Sequence, residues 1–212
     1  HPVYIWSFFF GLIIASAILV IRYVKKWKAG EYLSLFLGIV SMVLITRFSP
    51  AETTEAYWFV FVAGAIAICA MILPGISGAF ILLILGKYEF ILSAVSEFNI
   101  LVLLVFGLGV VSGLISFSRV LSYLLSRYYN ITIALLAGFI LGSLNKIWPW
   151  KETISSMINS HGETVPLMQR NILPGSYYEL TGSDPHLFRA LVFMITGILM
   201  VILLDRIGKK AV

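Results

Sequence analysis

The sequence predicts an all-α, polytopic integral membrane protein: a helix bundle with a re-entrant broken-helix hairpin, built on an inverted-topology repeat. Three observations carry this reading. Of 212 residues, 60% are hydrophobic and 12% charged, against about 25% charged in an ordinary soluble domain. The mean hydropathy is +0.99. The apolar residues fall in long runs, and crossing about 30 Å of hydrocarbon takes about 20 helical residues. Together these exclude a soluble globular domain, a disordered chain and a nucleic-acid-binding module. The 15 basic and 10 acidic residues leave a net charge of +5. The basic residues cluster at the edges of apolar runs, so they set membrane orientation and give no reason to expect nucleic acid as a partner.

The first span is expected over Val3 to Ile21, followed by the basic cluster Arg22, Lys25, Lys26 and Lys28. It lacks the basic leading region and cleavage site of a signal peptide. The first residue is His1, not Met, so the natural N-terminus is expected to lie upstream. A short second span, Tyr32 to Thr46, leads into a polar acidic turn with Pro50, Glu52 and Glu55. The third run, Ala56 to Gly86, holds thirty-one residues without a charge and is interrupted by Pro74-Gly75-Ile76-Ser77-Gly78. It is too long for one span and too short for two. Beyond Lys87-Tyr88-Glu89 a weaker apolar stretch reaches Ala94. The next span, Phe98 to Ser118, is expected to end at Arg119, with a separate short segment from Val120 to Tyr129. A span from Ile131 to Leu144 follows. Trp148-Pro149-Trp150 then forms an interfacial anchor and opens an irregular extracytoplasmic loop over about 148–186. The last span is Leu187 to Leu204, closed by Asp205, Arg206, Lys209 and Lys210.

The basic clusters put the 22–31 loop, the Arg119–Arg127 connection and the C-terminus in the cytoplasm. Residues 56–97 must then enter and leave by the same outer face. A re-entrant hairpin satisfies this, and so do two short spans; the broken run favours the hairpin. Phe10-Gly11-Leu12-Ile13-Ile14-Ala15-Ser16 resembles Ala137-Gly138-Phe139-Ile140-Leu141-Gly142-Ser143, and the two segments run in opposite directions. That is the trace an inverted repeat leaves. The expected organisation is one transmembrane domain over 1–212, with the end of a first repeat at about 1–50 and a second repeat at about 51–212. The counterpart of the Pro-Gly-Ile-Ser-Gly motif is expected upstream of this chain.

Two readings of the break stand. It is a proline kink that improves helix packing, or it is an anion site. For the second, Pro74 and Gly75 end one helix, Ser77 caps a half-helix, and the freed N–H groups greet a negative charge. Gly75, Ile76, Ser77 and Gly78 then form the binding segment. Arg119 either pairs with a phosphate or snorkels to set topology. Lys87 and Glu89 are read as a pair, as gate charges or as interfacial residues. Ser16 and Ser143 are read as helix contacts or as the lining of a path. Cys69 is a small core residue. His1, His161 and His186 lack metal-ligand company. No carboxylate lies in the runs 3–21, 56–86 and 98–118, which leaves acid–base and metal-assisted hydrolysis poorly supported.

Leu73-Pro74-Gly75-Ile76-Ser77-Gly78-Ala79 with Leu85-Gly86-Lys87-Tyr88-Glu89 resembles a signature of the bacterial polyprenyl-phosphate transporter family. Gly142-Ser143-Leu144 with Ile147-Trp148-Pro149-Trp150, and Phe9 to Ser16, are similar to its pattern too. The resemblance covers essentially the whole chain. It implies transport of undecaprenyl phosphate, the membrane-lipid carrier of cell-wall precursors, from the outer to the inner leaflet of the bacterial cytoplasmic membrane. It also implies an earlier Pro-Gly-Val-Ser-Gly-type motif, which this chain lacks. The expectation is a lipid translocase and not an enzyme, without cofactor, with proton or sodium coupling and a homodimer left open. The alternatives are a carrier or channel for a small soluble anion, and a polyprenyl-phosphate phosphatase or transferase.

Overall fold

The computed structural model describes residues 2–48, 53–158 and 164–210. Pro50 and Glu52 of the acidic turn, with His1, His161 and Gly162, lie outside them. In chain order the elements are α1 (Pro2–Ile21), α2 (Ala29–Ile45), α3 (Tyr57–Ile72), α4 (Gly78–Ile84), α5 (Tyr88–Ser96), α6 (Ile100–Arg127), α7 (Tyr129–Ile147), β1 (Lys151–Ile158), β2 (Thr164–Asn171), α8 (Pro174–Thr181) and α9 (Leu187–Lys210). The protein is an all-α, polytopic membrane bundle. Helices α1, α6, α7 and α9 are each long and apolar enough to cross a membrane, while α2 and α3 are shorter apolar helices. The chain divides into two compact units, residues 1–19 with 144–212, and residues 20–143.

In the first unit, α1 and α9 cross at glycines. A side chain added at Gly11 would fall on the Met194 carbonyl, and one at Gly197 on that of Phe8. Small residues permit this backbone approach, which is how helices associate where burial from water gives no drive. Val3, Trp150, Ile172 and Ala190 are buried together, with Tyr4, Trp148, Tyr177 and Met194 packed round them. The loop expected to be irregular is partly ordered. Strands β1 and β2 form an antiparallel pair with Lys151 opposite Asn171 and Glu152 opposite Arg170. Pro174 starts α8, where its missing N–H costs nothing, and Gly182 ends it in the left-handed region.

In the second unit, α2 meets α7 at Gly38 and Gly138, and α3 meets α6 at Gly64 and Gly109. All three crossings share one pattern. Each glycine faces the carbonyl three residues before its partner: Leu135 for Gly38, Leu35 for Gly138, Phe106 for Gly64 and Phe61 for Gly109. The two segments that resemble each other in sequence thus place Gly11 and Gly138 in equivalent contacts, shared by Gly64 and Gly109. Arg119 does not end its helix. Asn99 accepts from the Val102 N–H at the start of α6, and no Pro interrupts the 28 residues to Arg127. Val120 to Arg127 is therefore the last part of α6, not a separate segment.

Helix α5 closes with Phe98 at φ 55, its N–H donating to Val95 and that of Asn99 to Ala94. This geometry favours glycine. Phe98 is 80% exposed, so little packing offsets the strain. Phe98→Gly is expected to stabilise the protein by about 1 kcal/mol, read as a higher thermal midpoint in detergent.

Candidate functional site: a broken hairpin beside a polar helix flank

Pro74 disfavours helical geometry at the residue before it, and Leu73 is extended at ψ 130. Helix α3 accordingly ends at Ile72. Gly75 turns the chain at φ 90, a region L-residues rarely adopt. Ser77 is extended, and α4 begins at Gly78. Ser77 occupies the cap position, but its hydroxyl makes no cap bond. The first bond into α4 runs from the Ile81 N–H to the Ser77 carbonyl at 3.1 Å. Among the described residues no backbone carbonyl accepts from the amides of Ser77, Gly78 or Ala79. Gly75, Ser77 and Ala79 are exposed, while Ile76 and Gly78 are partly covered.

From the break, α4 folds back along α3. A Cβ on Gly78 would lie 2.9 Å from the Ala67 carbonyl. The far end of α4 is closed at Gly86 (φ 62). There the Gly86 N–H donates to Leu83 and the Lys87 N–H to Leu82. The two ends of the hairpin are tied to each other. The Thr53 hydroxyl donates to the Leu85 carbonyl, and the Lys87 ammonium donates to the Thr53 carbonyl at 3.0 Å. The chain therefore arrives and leaves at one end, and α5 departs from α4 at a bend of 108°. Seven residues of α4 span about 10 Å, too little to cross a membrane alone, and α4 and α5 together make a sharply bent apolar pair.

Lys87 is 2% exposed and lies over the rings of Phe59 at 5.8 Å and Phe90 at 5.2 Å. Glu89 is exposed, and among the described residues no ion pair joins it to Lys87. Lys87→Ala is expected to cost about 2–4 kcal/mol, through the cavity and the orphaned Thr53 carbonyl. Thermal unfolding checks this, and Lys87→Met, which fills the cavity, should lose less.

Gly75 rests on α7. A Cβ there would lie 3.0 Å from the Phe139 carbonyl and 3.1 Å from the Ser143 Cβ. Ser143 is buried, its hydroxyl donating to Ile140 at 2.7 Å. The Ser16 hydroxyl donates to Leu12 within α1, in the other compact unit. The structure thus brings Gly75 and Ser143 together.

Helices α3 and α6 run parallel: Phe61 lies beside Gly109 and Ala65 beside Gly113, the same numerical offset of 48 in both. Gly64 lies beside Phe106 at an offset of 42, so Arg119 is level with residues between 71 and 77, the end of α3 and the break. Arg119 is exposed and has no ion pair among the described residues. It belongs to a stripe that sequence reading missed. Ser112, Ser116, Arg119, Tyr123 and Ser126 recur at steps of four and three, so they share one flank of α6. All are exposed. At about 100° per residue the stripe lies roughly a quarter turn round from Gly113, which faces α3. The spacing was present in the sequence, hidden by the apolar residues between. A stripe of hydroxyls round an arginine is costly against lipid and stable against protein or water.

The sequence pattern of the undecaprenyl phosphate translocase-like family matches residues 1–165. The chain belongs to that family. A polyprenyl-phosphate transporter of Vibrio cholerae serotype O1 is 47% identical over 210 residues, 99% of this chain and 68% of the relative. One of Staphylococcus aureus is 32% identical over 161 residues, 67% of this chain and 57% of the relative. The chain thus spans roughly two thirds and somewhat over half of their lengths. No solved structure matches. In this member of the family, no described group of three or more His, Cys, Asp or Glu residues could hold a metal ion.

Proposed function

We propose that this protein carries a polyprenyl phosphate, undecaprenyl phosphate in the bacterial cytoplasmic membrane, from the outer to the inner leaflet. The observation that carries the reading is the hairpin's open break, whose amides at 77–79 have no backbone partner among the described residues, together with the polar flank of α6 that holds Arg119. The names of the two relatives support it. The prenyl tail is at home in hydrocarbon, so only the phosphate head needs help. An unpaired anion in a low-dielectric medium is prohibitively costly. The amides of Ser77, Gly78 and Ala79 donate to the phosphate oxygens. The Arg119 guanidinium matches a phosphate with two parallel bonds. The serine and tyrosine hydroxyls of α6 extend the polar surface on either side, while the tail stays in the bilayer. No resident cofactor takes part, and an imposed proton or sodium gradient tests coupling.

Leaflet exchange of labelled polyprenyl phosphate in vesicles tests the proposal. The expected result is protein-dependent exchange, little affected by millimolar inorganic phosphate and without phosphate release. Strong competition by inorganic phosphate would favour a carrier for small soluble anions. Released phosphate would favour a phosphatase.

A further inference from the structure

The loop base of the first compact unit holds a second set of groups suited to phosphate. Lys146 lies in the last turn of α7, and the chain returns through Trp148-Pro149-Trp150 to Lys151, the first residue of β1. The Lys151 ammonium donates to the Lys146 carbonyl at 2.6 Å and sits 4.1 Å from the centre of the Trp6 ring. Across the strand pair, the Asn171 side chain donates to the backbone and side-chain oxygens of Asn145, at 2.6 and 3.0 Å. Trp148 and Trp150 donate their indole N–H groups to the carbonyls of Ile172 and Pro185. Trp150 is buried and Trp148 packs against it, which fixes this turn, while Trp6 is exposed, an aromatic suited to the membrane–water boundary where lipid phosphates lie.

Two ammonium groups are held here within range of each other's field. Burial first, and then the charge of Lys146, hold the Lys151 amine down to about 8. The adjacent acid, Glu152, is committed to Arg170 at 2.8 Å. It also follows Lys151 directly in β1, where successive side chains point to opposite faces. Among the described residues no carboxylate lies in ion-pair range of Lys151.

We infer that Lys146 and Lys151, framed by Trp6 and the Trp148–Trp150 turn, form a capture site for the phosphate monoester head of a lipid on the loop side of the membrane. A monoester carries close to two negative charges at neutral pH, against one for a phosphodiester lipid, so it gains more from the Lys151 ammonium. The inference rests on the transport reading for what happens next, and the site lies in a different compact unit from the break. It supplies the first contact that concentrates substrate at the interface.

Amine acylation at pH 8 of the whole chain in lipid nanodiscs, read by mass spectrometry, tests it. Lys151, about half neutral there, is expected to react readily. Polyprenyl phosphate is expected to slow its modification about fivefold, by cover and by returning the amine to its protonated form. Lys25 and Lys26 should be unaffected. Phosphatidylglycerol at the same mole fraction, or inorganic phosphate at the same concentration, should give little protection. Equal protection by either, or none by polyprenyl phosphate, overturns the assignment. In exchange assays Lys151→Met should raise the half-saturating lipid concentration about fivefold at an unchanged maximal rate; an unchanged half-saturation value overturns the site. Protection is read without transport. Lost protection with normal exchange therefore sinks this site alone, and intact protection without exchange sinks the transport reading alone.

Discussion

Gly75→Leu is expected to abolish leaflet exchange and to lower stability by about 2–5 kcal/mol. Two effects add. Gly75 sits at φ 90, where an L-residue is strained by contact between its Cβ and the backbone. The new side chain would also start 3.0 Å from the Phe139 carbonyl and 3.1 Å from the Ser143 Cβ. The Phe139 backbone belongs to α7 and cannot yield as a flexible side chain does. The break would be pushed off α7, and the Ser77–Ala79 amides would lose their placement. Gly75→Ala carries the same dihedral strain with less bulk, so it should slow exchange less. Exchange rate per folded molecule and the thermal midpoint separate the two contributions. Wild-type exchange by Gly75→Leu at normal protein levels would show that this turn does not place the site.

Arg119→Ala is expected to slow exchange by about 10- to 100-fold, the loss of a charge-assisted pair worth about 1.5–3 kcal/mol. Stability should change little, because Arg119 is exposed and has no ion pair among the described residues. Arg119→Lys should recover only part of the rate, since an ammonium keeps the charge and loses the planar fork. Ser116→Ala, one turn away on the same flank, should have a smaller effect in the same direction. If Arg119 only anchors topology, lysine restores the full rate, and that result would remove it from the site.

The break was legible because Pro and Gly act on the backbone locally, whatever surrounds them. Pro74 and Gly75 announced where α3 stops, and parity placed the hairpin's two ends at one face. The Gly11 and Gly138 segments were legible as a pair because helix crossings in a membrane select for small residues. The end of α6 was not legible. A charge after a long apolar run looks like a membrane boundary, yet arginine is a good helix former and nothing after Arg119 breaks the helix. The polar flank was hidden for a related reason, since one serine every third or fourth residue barely lowers the hydropathy of a window. Lys87 beside a glycine at the end of an apolar run reads as interfacial. Its burial depends on the Thr53 carbonyl, thirty-four residues away in the chain. The loop hairpin and α8 were hidden because the stretch over about 148–186 reads as irregular loop, whereas Pro174 starts a helix there and Gly182 ends it.

The most direct test is a solid-state measurement of dipolar coupling between the phosphorus of bound polyprenyl phosphate and the ¹⁵N-labelled amides of Ser77, Gly78 and Ala79. The expected result is coupling at hydrogen-bonding distance that disappears in Gly75→Leu. A lipid head that couples elsewhere, in protein that exchanges lipid at the normal rate, would contradict the account.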